Sequence, residues 1–342
     1  MLSKKWRLLL CLFIWYLSLI TFINICRAEK KEVMIYTSMK EAQMSALKIG
    51  FMKKYPEIEM KYEIAGSGMI MQMLRTEEST GRIKADLLWL GEPSCYYILK
   101  EKGLLTPYHS PEAKKIPQVL IDRDNYYCGA RMVTVGLVYN SQTIQAEEIP
   151  TDWKDLLQPR HKGLIAMTDP YFSGTALYTV AGLYQSPKYG LKFFRALKEN
   201  GIHLENNAVT VVEKVSSGIG IYDLCIGVDY IAKTIKDNGG PVEFIYPRSC
   251  ISTIPSPIAI FRGASNMEEA KKLYDYILSI EGQLILMKEN VIPVRPEVKL
   301  EGAITIKEAV NRSLPVNNER LVLEQAMMLA QFEAIMKGNK DY

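Results

Sequence analysis

Strand, turn and helix alternate at short intervals along this chain, and that rhythm predicts an α/β protein of two lobes with helices covering parallel sheets. Two further observations support two lobes rather than one. Once a leader is set aside, about 314 residues remain, more than one core usually supports. Two long β-rich runs, "RMVTVGLVYN" and "TIPSPIAIF", frame a stretch long enough for a second α/β unit, and they are the segments expected to pass between lobes.

The leader comes first. Lys4, Lys5 and Arg7 precede an apolar run from Leu8 to Ile25, and Cys26-Arg27-Ala28 sets small residues at −3 and −1. This is the layout of a secretory signal peptide over residues 1–28. The run is also long enough to serve as an uncleaved anchor. Cys26 as a lipidated cysteine is disfavoured by the bulk of Ile25 before it.

The first strand, "EVMIYTSM", runs into Ser38, and Glu41 three residues later completes an S-x-x-E capping box for the helix "EAQMSALKIGFMKKY". "IEMKYEIAGSG" alternates as a strand, breaks at Gly66-Ser67-Gly68 and leads into the helix "MIMQMLRTEEST". "ADLLWLGEPS" is a buried strand and turn, followed by the helix "CYYILKEKG". Beyond the first long β run, "GLIAM" turns through Asp169-Pro170 and sets Ser173, Gly174 and Thr175 at a helix start. After the second, "NMEEAKKLYDYILSIEGQLILMKEN" and "ERLVLEQAMMLAQFEAIMKG" are amphipathic helical regions whose Met and Leu stripes read as core. The organisation expected is a signal peptide at 1–28, a first lobe at 32–134 with a return segment 256–300, and a second lobe at 135–255 with C-terminal helices at 301–342.

Charge and composition exclude several classes. The whole chain carries 42 basic and 38 acidic side chains, and the leader removes four basic residues and no acidic one, so the remainder is balanced. No basic block survives to neutralise a run of phosphates, which excludes nucleic acid as a partner, or to adhere to an anionic membrane surface. Cys95, Cys128, Cys225 and Cys250 are widely spaced without a CxxC pair and do not form a zinc motif. In an exported chain they are equally compatible with a bridge or with buried thiols. There is no G-x-S-x-G, HExxH or P-loop, so the sequence does not read as an enzyme, and it calls for no cofactor.

Three turns share one chemistry: Thr37-Ser38, Ser67-Gly68 and Ser173-Gly174-Thr175. At a helix N-terminus, successive backbone N–H groups and hydroxyls can hold an anion, and a glycine lets the backbone approach it. Each turn also has a plain structural reading. Ser38 suits a cap, Ser67-Gly68 a turn, and Ser173 a cap alone. Asp169 before Pro170 suits turn initiation as well as a ligand contact. Gly91, with Glu92, holds the position of a cleft lip, and Asn206 and Asn207 can orient a ligand or sit in solvent.

With these segments in order, the chain resembles the solute-binding proteins of ABC importers, in the branch that contains ferric-ion, phosphonate and sugar-phosphate binders. The resemblance rests on "YTSM", "ADLLWLGEP", "KEKGLLTPYHSPEA", "GLVYN", "DWKDLLQPRHKGLIAMTDPYFSGTA", "IGVDYIAK", "IFRGASNMEEAKKLYDYILSIEGQ" and "VIPVRPEV". It implies a type II periplasmic-binding fold, two α/β lobes joined by two crossing strands with the ligand trapped between them. It also implies no catalysis. A monomer, exported to the periplasm or the outer face of the cytoplasmic membrane, would capture a solute and deliver it to a membrane permease and its ATPase.

Ferric binders of that family use two adjacent tyrosines in the segment that here reads "CIGVDYIAK". This chain keeps Tyr230 but has Asp229 in the first position, and His109, His161 and His203 lie outside the cleft motifs. The expected ligand is therefore a small phosphorylated organic solute, its phosphate on Ser173-Gly174-Thr175 with donors from Thr37, Ser38, Ser67 and Gly68. Asp229 then accepts from hydroxyls or an ammonium at the other end, beside Tyr230. Ferric iron, and an anchored sensory domain using the same lobes, are the alternatives.

Overall fold

The computed structural model describes residues 30–218 and 222–339, so the leader lies outside the described residues. Strand β1 (Lys31–Thr37) runs parallel to β2 (Ile58–Ile64) on one side and to β3 (Leu87–Trp89) on the other. Such a central position demands apolar side chains on both faces. The two-residue period supplies them: Leu87 and Trp89 enter one core layer, and Leu88 and Leu90 the layer on the opposite face. Helices α1 (Glu41–Lys54) and α2 (Ser67–Ser79) connect these strands, and α3 (Ser94–Glu101) follows β3.

The expected capping box at Ser38 does not form. Helix α1 begins only at Glu41, where the Lys40 N–H donates to Gln43 Oε1. Glu41 turns instead to β2, where its carboxylate accepts from the Tyr62 hydroxyl. Ser38 is left free of the helix.

After the short β4 (Leu105–Thr106), strand β5 (Tyr127–Asn140) spans both lobes. Its first half pairs antiparallel with β10 (Ser252–Phe261), and its second half with β8 (Leu224–Val228) and β9 (Val242–Ile245). The strand starts at Tyr127, earlier than the hydrophobic run suggests, because Cys128 and Ala130 are buried beneath β10. β10 carries Pro255 and Pro257 and shifts register between Ser256 and Pro257. Proline cannot donate to the ladder, so such an irregularity accommodates it. Gly129 lies opposite, where a Cβ would sit 3.2 Å from Pro255 Cβ.

In the second lobe, β6 (Ile165–Thr168) lies between β8 and β7 (His203–Glu205), flanked by α4 (Gly174–Gln185), α5 (Gly190–Glu199), α6 (Ala208–Ser217) and α7 (Asp229–Asp237). The strand order is β2-β1-β3-β10-β5-β8-β6-β7, so β5 and β10 form the centre of a sheet whose two ends belong to different lobes. The chain then returns to the first lobe with α8 (Met267–Leu278) and α9 (Ile280–Lys288), which contribute Leu273, Tyr274, Ile277 and Leu286 to its core. The expected second-lobe segment 301–342 begins with residues still packed on the first lobe: Ile304, Ile306 and Ala309, the last two on α10 (Ile306–Asn311). From Leu314 onward the side chains enter the second-lobe core, led by α11 (Asn318–Met336). That helix also packs against α3 of the first lobe.

Cys95, Cys128, Cys225 and Cys250 are free thiols, the first three buried. Among the described residues no helix is long and apolar enough to cross a membrane.

Candidate functional site

The turns beyond the carboxyl ends of the strands converge between the lobes, as the α/β architecture dictates. A cavity of about 170 Å³ there is lined from the first lobe by Ser38, Lys40, Ser67 and Gly91. The second lobe supplies Ser173, Gly174, Thr175, Asn206, Asn207 and Tyr230, and the crossing strand β5 supplies Arg131. Eight residues expected from the sequence therefore meet in one place, although they are spread over nearly 200 positions.

The lobes touch at a knot of small residues. A Cβ at Gly91 would lie 3.4 Å from Ser38 Oγ, 3.8 Å from Thr175 Cγ2 and 3.9 Å from Ser67 Oγ. A Cβ at Gly174 would lie 2.9 Å from Ser67 Oγ and 3.0 Å from Glu92 Cγ. Glycine at position 174 is what allows the turns to approach, whereas a Cβ at Gly91 would make only ordinary contacts.

Ser173 has both of the roles its sequence position allows. It is the N-cap of α4, its Oγ accepting from the Ala176 N–H at 3.4 Å, and the same Oγ lies 2.9 Å from Thr175 Oγ1. The first N–H groups of a helix have no intrahelical acceptor, so the N–H groups of Gly174 and Thr175 are available at the cleft. Asn207 caps α6 in the same way, accepting from Val209 and Thr210 N–H. Two helix N-termini thus open on the cavity.

Two cations in this lining escaped the sequence reading. Arg131 is 1% exposed; its Nη1 donates to Gln43 Oε1 at 3.2 Å and its Nε has no partner. The guanidinium carbon lies 5.4 Å from the centre of the Tyr230 ring, and Lys40 Nζ lies 5.3 Å from the same ring centre. Burial pulls the pKa of Lys40 below its ordinary value. Burial also raises that of Tyr230, which Arg131 opposes. The signal for Arg131 was present in the sequence, since a lone charge inside an otherwise apolar strand demands a reason. Lys40 gave no such signal in a lysine-rich surface sequence.

Other expected residues lie elsewhere. Thr37 is fully buried; its hydroxyl donates to the Trp89 carbonyl and accepts from Met39 N–H, fixing the turn that carries Ser38. Gly68 lines an adjoining cavity of about 490 Å³, which shares Ser67, Ser173 and Gly174 with the first and includes Glu92. Glu92 is buried, its carboxylate accepts from the Ser94 N–H, and burial raises its pKa. Asp169 is a turn residue: its carboxylate accepts from the Tyr171 N–H, and its own N–H donates to the Glu205 carbonyl.

Asp229 lies apart from the other expected residues. Its carboxylate accepts from the Thr134 hydroxyl at 2.6 Å, the Thr134 N–H at 3.3 Å and the Tyr230 N–H at 2.7 Å. It faces β5, is absent from the lining of the cavity that holds Tyr230, and lines a separate cavity of about 180 Å³ instead. Burial pushes its pKa up to about 7 against the opposing pull of those hydrogen bonds.

Residues 84–328 match the profile of the bacterial extracellular solute-binding proteins. The chain belongs to this family. It is a family of binding proteins rather than of enzymes, and its members work outside the cytoplasm. This solute-binding protein is 23% identical over 312 residues to the phosphoglycerate transport regulatory protein PgtC of Salmonella typhimurium, covering 89% of this chain and 76% of PgtC. Its fold is similar to that of the periplasmic binding protein AfuA from Actinobacillus pleuropneumoniae with fructose-6-phosphate bound, at TM-score 0.79 and 22% identity over 91% of this chain and 100% of AfuA. It is also similar to iron-bound HitA from Pseudomonas aeruginosa, at TM-score 0.76 and 22% identity over 89% and 99% of the two chains. These likenesses establish the two-lobed periplasmic-binding fold.

Proposed function

We propose that this protein is the extracytoplasmic binding component of an ABC importer and that it captures a small phosphorylated organic solute between its lobes. It does no chemistry on the solute; it hands it to a membrane permease driven by an ATPase. The observation that carries this reading is the make-up of the smaller cavity's lining: a helix N-terminus presenting Ser173, Gly174 and Thr175, two cations, and no Asp or Glu, with Glu92 placed in the adjoining cavity. Each charge-assisted hydrogen bond contributes about 1.5–3 kcal/mol. Four or more of them, less the cost of association, reach about −8 kcal/mol, which is micromolar affinity.

The relatives' ligands are consistent with a phosphate. PgtC is named for phosphoglycerate transport, and AfuA is described with fructose-6-phosphate. The iron bound to HitA raises the alternative of a ferric ion. Local chemistry opposes it here. Tyr230 is the one tyrosine in the lining, burial holds it in the neutral phenol form, and Lys40 and Arg131 would repel a trivalent cation.

Native mass spectrometry of the protein purified without denaturant tests the reading directly. An adduct with the mass of a phosphorylated metabolite is expected; iron, alone or with a small anion, would overturn it. In solution, Ser173→Ala with Thr175→Ala should weaken phosphate-ester binding roughly 10- to 100-fold through the lost donors. Unchanged affinity would move the phosphate site away from α4.

A further inference from the structure

With Asp229 bonded to Thr134, the lining beside Tyr230 offers no carboxylate to receive the hydroxyls of a sugar or the ammonium of an aminophosphonate; Glu92 lies at the other end, against Gly174. What stands beside Tyr230 instead is a pair of positive charges. Arg131 is 1% exposed, and burying a cation is costly, yet its Nε has no partner and its Nη1 donates to the neutral Gln43, leaving the Tyr230 side chain and the more distant charge of Asp229 to offset it. Lys40 shares the same aromatic ring. The acidic groups that act on them, Glu213 on Lys40 and Asp229 on Arg131, both lie outside the lining.

A count of charge separates one bound anion from two. Lys40, Arg131 and the N-termini of α4 and α6 together present about +3 elementary charges, taking about +0.5 for each helix end. A phosphate monoester carries about −1.5 to −2 at neutral pH. The surplus matches one more carboxylate. The groups are also arranged as two clusters. Ser38, Ser67, Gly91 and Thr175 gather at the α4 end, whereas Lys40 and Arg131 gather at Tyr230.

We infer that Lys40, Arg131 and Tyr230 form a second anion subsite, so that the preferred ligand is a phosphorylated carboxylic acid rather than a sugar phosphate or an aminophosphonate. This rests on the phosphate reading of the Ser173–Thr175 clasp and deepens it. The guanidinium offers a planar fork suited to a carboxylate, and the ammonium closes the same corner as a point charge.

Calorimetry of the exported protein with glycerol 3-phosphate and 3-phosphoglycerate tests the inference, because these probes differ only in a hydroxymethyl group against a carboxylate. The acid should bind roughly 10- to 100-fold more tightly. Lys40→Gln, at a half-buried surface position, should narrow that ratio, and Arg131→Gln should narrow it further if the variant folds. Equal binding of the two probes, or tighter binding of glycerol 3-phosphate, would overturn the second subsite and leave the phosphate clasp standing. A ratio unchanged in Lys40→Gln would also overturn it. Binding of neither probe would remove the phosphate reading itself, and this inference with it.

Discussion

Asp229 shows at the scale of one residue how a side chain with ligand-binding chemistry can be bonded into the frame. Its carboxylate joins the start of α7 to the crossing strand through Thr134, and its pKa rises to about 7 from the ordinary 3.8 because it is buried. The folded state therefore holds a proton that the unfolded chain releases. Stability contributed by this group is greatest below about pH 4 and declines as the pH climbs through 7, by on the order of 4 kcal/mol. Asp229→Asn should flatten that decline, measured as the difference in Tm between variant and wild type at pH 5 and pH 8. The same variant should bind ligand within about twofold of wild type, and a tenfold loss would return Asp229 to the site. Tyr230, its neighbour, does face the cleft. One step along a helix separates the two roles, and a sequence cannot report which way each side chain points.

Elements explain why some residues were legible and others were not. The "FSGT" stretch has the pattern of a helix start able to hold an anion, and α4 does begin there with Ser173 as its cap. Thr175→Val should spare stability, whereas Ser173→Ala should lower it by about 1 kcal/mol through loss of the cap. Urea denaturation of the two single variants, set beside their ligand affinities, separates capping from binding. The Met and Leu stripes read as core are core: α11 contributes Leu321, Met328 and Phe332 to the second lobe, while Leu323 and Met327 on its other face stay exposed. Phe332 meets Phe194 edge-on at 5.3 Å, so Phe332→Ala should cost about 3–5 kcal/mol in chemical denaturation. An effect below 1 kcal/mol would mean that the helix is dispensable to the core. The capping box at Ser38 failed because Gln43 takes the role assigned to Glu41, a competition between neighbouring side chains that pattern matching does not rank.

For the whole molecule, the knot of small residues sets how closely the lobes can meet. Gly174 faces Ser67 and Glu92 across the cleft, with no room for a Cβ. Gly174→Ala should therefore hold the lobes apart, weaken binding at least tenfold, and abolish the contraction that small-angle X-ray scattering should record on adding ligand. A normal contraction in this variant would show that the lobes close about some other contact. The sequence by itself determined the α/β class, the two lobes, the crossing strands and the helix start at Ser173, because each is written in local periodicity, turn chemistry and chain length. Tertiary structure alone decided that Asp229 turns inward to Thr134, that Lys40 and Arg131 share the face of Tyr230, and that the lining carries positive charge without a carboxylate. The physical reason is that charge in a cleft is a sum over residues far apart in the chain, and only the packing of the lobes fixes which of them enter it.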